Sequence, residues 1–286
     1  MKANISPIII IYHKDCVDGT TAAAVALRRF PEAKSFPLAH EYSREEIELI
    51  FTEAMPGAEL FTVDCGLGAK EFVSKGFSVT TIDHHIGIKE SLDELARKNN
   101  TFTYIFNNDK SGASLTWSHF FPKEKEPELV KYVEDADLWR WKYGEDTKDV
   151  TNYLSMFRNN PNAVLRMFDQ DLTEIKAHGR NISMYVDKEV ENFVKLPSLT
   201  LTIGNNQVPA YNITTHESES GNQLSEKFNK AVAMFTIKGD RVKIGFRSKE
   251  HHTPTSLELA QILGGGGHRR ASGASISLQQ FLKIVV

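Results

Sequence analysis

Short runs of β-branched and aromatic residues alternate with stretches of helical spacing through the first hundred residues, and no other feature restricts the fold as tightly. The runs are Ile8 to Tyr12, Glu59 to Val63, Ser78 to Ile82 and Thr101 to Phe106, with helix-like segments at Thr20 to Arg29 and Ser43 to Met55 between them. Such alternation predicts an α/β fold, a mostly parallel sheet flanked by helices. A parallel sheet gathers the carboxyl ends of its strands on one edge, where open α/β folds bind their ligands. Three of the runs end in reactive side chains: Tyr12 leads into His13, Val63 into Asp64, and Ile82 into Asp83-His84-His85.

The pattern changes near Pro127. From there to Leu196 the spacing is helical, with Val130, Val133, Ala136 and Leu138 in one segment and further helices around Pro161 to Arg166 and Leu172 to Phe193. Leu196-Pro197-Ser198 marks a boundary, after which Leu199 to Ile203, Ala231 to Ile237 and Val242 to Phe246 read as strands around a helix near Gly221 to Lys230. The expected organisation is a domain of residues 1–196 that includes a helical connector, followed by a smaller α/β domain of residues 197–286, with the active-site cleft between the two.

The side chains at the strand ends are mutually repulsive unless something neutralises them. His13-Lys14-Asp15-Cys16-Val17-Asp18-Gly19 offers an imidazole and two carboxylates in one turn, Asp64 adds a carboxylate, and Asp83, His84 and His85 add another with two imidazoles. Clustered acids of this kind imply a bound cation. Mixed Asp and His donors suit Mn²⁺ first, with Mg²⁺, Co²⁺, Fe²⁺ and Zn²⁺ as alternatives, and the number of donors is enough for two divalent ions. Two ions would activate a water and clamp the oxygens of a phosphoryl group, so the expected chemistry is metal-dependent phosphoester hydrolysis.

Charge and apolar pattern narrow the partners. A formal net charge of −3 argues against long nucleic acid as a stable partner, because such binding needs many phosphate contacts. The longest apolar run, Pro7 to Tyr12, is far below the roughly 20 residues that span a bilayer, so no membrane partner is expected. Only two cysteines, Cys16 and Cys65, fit a cytoplasmic, reducing setting. The sequence is compatible with a homodimer and does not decide it.

With these residues in view, the chain resembles the DHH phosphoesterase superfamily, whose naming triplet stands intact at Asp83-His84-His85. The resemblance implies that His13, Asp18, Asp64 and His84 ligate metal, that Asp64 bridges two ions, that Asp83 supports the site and that His85 contacts phosphate. The fourth acidic motif of that family is similar to Val133 to Trp139, where Asp135 is the expected ligand and Asp137 the alternate, since Asp135 and Trp139 would share a helical face. The first motif departs from the family pattern: Cys16 occupies the place of an aspartate. Asp15 is the expected ligand there, with a Cys16 thiolate or water as alternatives.

Near the C-terminus, Gly264 to Gly267 precede His268-Arg269-Arg270. One glycine suffices to end a helix, and the surplus beside basic residues favours an anion site built from backbone N–H groups. The stretch also resembles the glycine-histidine motif of the DHH-associated domain, with Gly245-Phe246-Arg247-Ser248 similar to its arginine-bearing strand. That resemblance implies substrate contacts from Arg247, His268 and the backbone of Gly265, Gly266 and Gly267. The expected activity is hydrolysis of short oligonucleotides or linear dinucleotides to nucleoside monophosphates. Cyclic mono- or dinucleotide hydrolysis, single-strand exonuclease activity and a non-catalytic nucleotide-binding regulatory role are the alternatives.

Overall fold

Ile9, Ile10 and Ile11 are all fully buried, and their alternation explains the architecture. In the computed structural model, which describes residues 6–39 and 41–286, they lie on β1 (Ser6–His13), and successive residues face opposite sides of the sheet. Ile10 and Tyr12 join one apolar core; Ile9 and Ile11 join a second on the other face. A strand covered on both faces must be apolar throughout, as this one is.

The chain continues through α1 (Val17–Arg29), β2 (Lys34–Leu38), α2 (Arg44–Glu53), β3 (Ala54–Val63), α3 (Ala69–Ser74), β4 (Ser78–Asp83), α4 (Lys89–Lys98) and β5 (Phe102–Phe106). Every pairing among these strands is parallel, in the order β2-β1-β3-β4-β5. The strand not foreseen, β2, is an edge strand carrying Lys34, Ser35 and Pro37, a composition suited to an edge. α2 begins at a capping box in which Ser43 and Glu46 satisfy each other's backbone N–H. Ala22 to Ala26 of α1 are all fully buried, so the helix lies close against its neighbours.

Four more helices complete this part: α5 (Gly112–Phe120), α6 (Glu128–Asp137), α7 (Glu145–Ser155) and α8 (Pro161–Met167). Together with α1 they cover the face that holds Ile10 and Tyr12. The long α9 (Leu172–Phe193) follows. Among the described residues, no helix is long and apolar enough to cross a membrane.

Two compact units emerge, Met1–Ser183 and Met184–Val286, dividing within α9. The second contains β6 (Leu199–Ile203), β7 (Asn206–Asn212), α10 (Glu217–Phe228), β8 (Val232–Lys238), β9 (Arg241–Arg247), α11 (Ser256–Ile262), β10 (Gly266–Gly267), β11 (Ala271–Ser277) and α12 (Leu278–Ile284). Its mixed sheet runs β10-β11-β9-β8-β7-β6, with only β7 and β8 parallel.

Candidate metal centre

β1, β3 and β4 are consecutive in the first sheet, so His13, Asp64 and the Asp83-His84-His85 triplet emerge side by side at its carboxyl edge. The strand order reverses between β1 and β3, which is where open α/β sheets leave a crevice for ligands. Two close approaches build the floor. A Cβ on Gly19 would lie 2.5 Å from the His13 carbonyl oxygen, and one on Gly112 would lie 2.5 Å from the Asp64 Cβ. Glycine at both positions lets α1 and α5 begin directly against the strand ends.

Asp64 occupies the middle. Its φ of 56° is left-handed, a conformation that aspartate tolerates better than bulky residues. The carboxylate spans two sets of donors: Oδ2 lies 3.5 Å from His13 Nδ1 and Oδ1 lies 3.1 Å from His84 Nε2. Both oxygens are buried and accept no well-formed hydrogen bond. Among the described residues three overlapping groups surround them, each with donor atoms within 4.8 Å of one another: Asp64, Asp83, His84 and His85; His13, Cys16 and Asp64 on one side; and Asp18, His84 and Asp137 on the other. His84 Nε2 is 3.6 Å from Asp137 Oδ2 and 3.9 Å from Asp18 Oδ2. A buried carboxylate whose two oxygens lack well-formed hydrogen bonds, flanked by imidazoles and further carboxylates at these distances, fits a divalent cation.

Asp18 is anchored from the far side by backbone N–H groups at the start of α5, donated by Gly112 at 2.6 Å and Ala113 at 3.0 Å. A carboxylate at a helix N-terminus also benefits from the helix dipole. Asp83 holds the histidines in place. Its Oδ1 accepts from the backbone N–H of His84 (2.6 Å) and His85 (2.9 Å), and lies 2.7 Å from His85 Nδ1. The His85 ring centroid lies 4.4 Å from that of His84 and 5.7 Å from that of His13.

The electrostatics reflect crowding. Burial disfavours the His84 imidazolium, but the carboxylates of Asp64, Asp137 and Asp18 outweigh it and push the pKa up to about 10. Burial would likewise raise Asp64, yet the imidazoles of His13 and His84 hold it well below the carboxylate range. Asp18 goes the other way: burial, then the Asp64 and Asp137 charges, push it up despite the two backbone donors. Asp137, its side chain 24% exposed, is raised to about 6, chiefly by burial. These strains belong to a metal-free cluster, and a cation relieves them.

No protein-family description matches the chain. An uncharacterized protein, R106, of Acanthamoeba polyphaga mimivirus is 23% identical over 298 residues, covering 94% of this chain and 67% of that one. Among solved structures, RecJ of Thermus thermophilus in complex with Mn²⁺ matches with a TM-score of 0.56 at 15% identity, over 96% of this chain and 50% of that one. The pGpG-specific phosphodiesterase PggH of Vibrio cholerae matches with 0.53 at 14% identity, over 96% of this chain and 95% of that one. Exonuclease RecJ bound to manganese gives 0.52 at 15% identity, over 96% and 87%. The chain shares the fold of these RecJ and PggH structures. It spans about half the length of Thermus RecJ.

Within this fold, two expected metal ligands lie elsewhere. Asp135 does not join the cluster: Oδ1 accepts from Lys142 N at 2.8 Å, and Oδ2 accepts from Tyr143 N at 3.2 Å and Thr147 Oγ1 at 2.5 Å. Asp137 stands in its place beside His84. The helical-face argument fails because α6 ends at Asp137, and Trp139 and Trp141 both adopt φ of 54° in the turn that follows. Asp15 is also turned away. It is exposed, with φ of 58°, and exchanges hydrogen bonds with Asn159, receiving one from Nδ2 at 2.5 Å and donating its N–H to Oδ1 at 2.9 Å. Cys16 takes the place beside His13 and Asp64.

In the second unit, Arg247 donates to Ser218 Oγ at 2.8 Å and to the Phe246 carbonyl at 2.9 Å, with Glu217 and Glu219 nearby. The glycine run is tighter than an open cradle. Gly265 donates its N–H to Ala260, a Cβ there would collide with the Gly273 carbonyl oxygen, and Gly266 and Gly267 pair with Gly273 and Ser272. His268 N–H donates to Ala271, leaving Arg269 and Arg270 exposed at the hairpin tip. The N–H groups of Gly265 and His268 are therefore engaged by the hairpin, so any anion contact there falls to side chains and to the outer edge of β10.

Proposed function

We propose that the chain is a divalent-metal-dependent phosphodiesterase that hydrolyses short oligonucleotides or linear dinucleotides to nucleoside monophosphates. The observation that carries this reading is the position of Asp64, whose two buried oxygens face separate groups of donors. His13 and Asp64 would hold one ion and Asp18, His84 and Asp137 the other, with Asp64 shared. Mn²⁺, the metal of RecJ in two of the matching structures, suits this mixture of imidazole and carboxylate. Bound there, the ions would supply Lewis-acid polarisation of phosphoryl oxygens and lower the pKa of a water.

The protein's own residues account for positioning. Asp83 fixes the His85 imidazole with Nδ1 toward the carboxylate, and this aims the opposite edge of the ring at a phosphoryl oxygen. Gly112 and Ala113 keep Asp18 in place while substrate enters and leaves. In the second unit, taken by itself, Arg247, its guanidinium steadied by Ser218, and the exposed His268 offer side chains suited to an anionic group.

Two features support a short substrate. The PggH structure, which carries the same fold along almost its whole length, is a pGpG-specific phosphodiesterase. A net charge of −3 offers little general attraction for a long strand. Purified protein with Mn²⁺ is expected to convert 5′-phosphorylated dinucleotides to mononucleotides faster than it degrades long single strands, cyclic dinucleotides or pyrophosphate. Preference for long strands would replace this reading with an exonuclease, and absence of turnover with retained nucleotide binding would remove catalysis altogether.

A further inference from the structure

We propose that Cys16 ligates metal as a thiolate, making the centre chemically asymmetric: a thiolate position of His13, Cys16 and Asp64 for a borderline-soft divalent ion, beside a harder position of Asp18, His84 and Asp137. The inference rests on the metal-dependent reading above and specifies which ion each position takes.

Three observations converge on it. Cys16 Sγ, an imidazole nitrogen of His13 and a carboxylate oxygen of Asp64 lie within 4.8 Å of one another. The Asp64 carboxylate, 1% exposed, turns a buried oxygen without a well-formed hydrogen bond toward that group. Asp15, the neighbouring acid that could have made the position an oxygen site, is committed to Asn159 on the outside of the turn.

A thiolate favours Zn²⁺, Fe²⁺ or Co²⁺ over Mn²⁺ and Mg²⁺, whereas two carboxylates and one imidazole suit the harder ions. Binding at the thiolate position releases the Cys16 proton to solvent as the metal–sulfur bond forms. The only other cysteine, Cys65, is buried behind β3 with Sγ 4.0 Å from the Ile11 carbonyl oxygen, and is absent from the donor groups.

Cobalt titration of the full chain tests this directly. Co²⁺ is expected to produce a near-ultraviolet thiolate-to-cobalt charge-transfer band that survives Cys65→Ser, disappears in Cys16→Ser and persists in Asp137→Asn. Co²⁺ and Zn²⁺ should also protect Cys16 of the unmodified chain from alkylation, a readout that does not depend on any variant folding. Two ions bound with no thiolate band and no protection would overturn the asymmetric site while leaving the metal-dependent reading intact. No binding of Co²⁺, Zn²⁺ or Mn²⁺ would overturn both.

Discussion

Gly112 packs against Asp64 so closely that a methyl group on its Cα would fall 2.5 Å from the Asp64 Cβ and 2.7 Å from its Oδ1. The same glycine donates its N–H to Asp18. One backbone position therefore sets the spacing between carboxylates from two different donor groups. Gly112→Ala is expected to displace Asp64, lower Mn²⁺ affinity by about 10–100-fold and destabilise the fold by about 1–3 kcal/mol. Calorimetric metal titration and thermal unfolding measure the two effects, and unchanged metal affinity would show that Asp64 does not depend on this contact.

Asp135 and Asp137 sit two residues apart and should respond in opposite ways. Asp135→Ala leaves the N–H groups of Lys142 and Tyr143 and the hydroxyl of Thr147 without their acceptor, at a cost of about 2–4 kcal/mol. Asp137→Asn removes a charge that burial and Asp64 disfavour, so the metal-free protein should unfold at a slightly higher temperature at neutral pH while losing metal affinity. Loss of metal affinity in Asp135→Ala, with the fold intact, would restore Asp135 as the ligand.

That pair also shows what the sequence could and could not convey. The parallel sheet was legible because buried strands such as Ile8 to Tyr12 leave an unbroken apolar signal, and the strand-end residues His13, Asp64 and His84 follow from it directly. The choice between Asp135 and Asp137 depends on where α6 stops, and the two residues after Leu138 that decide it, Trp139 and Arg140, carry no helix-ending signal. Asp15 was lost in a similar way: its partner, Asn159, is 144 residues distant, and no local pattern reports such a contact. The glycine run announced tight packing but not against what; Gly273 and Ser272, its partners in β11, lie in a strand with too many serines and glycines to read as one.

Metal binding should be coupled to proton release. In the metal-free protein the His84 pKa is raised to about 10 from an ordinary 6.5, so at neutral pH the imidazole carries a proton that a metal must expel. Apparent affinity is therefore expected to rise with pH across the neutral range. The sign for the metal-free fold is the reverse: a raised folded-state pKa contributes stability that is complete below about 6.5 and lost as pH climbs through about 10. Titration calorimetry in buffers of different ionisation enthalpy reads the released protons, and a buffer-independent heat would contradict the protonated state of His84.

The Asp83–His85 contact makes a further prediction about turnover. Burial works against the His85 imidazolium, but Asp83 at 2.7 Å, together with Asp64, raises its pKa above the usual histidine value. If His85 serves the phosphoryl oxygen as a charged donor, activity falls on the alkaline side as it loses its proton. Asp83→Asn retains an oxygen that can accept from the two backbone N–H groups but removes the negative charge. The alkaline limb of kcat/KM should then move to lower pH. Retention of the original pH profile in this variant, with metal content unchanged, would show that His85 acts only as a neutral contact.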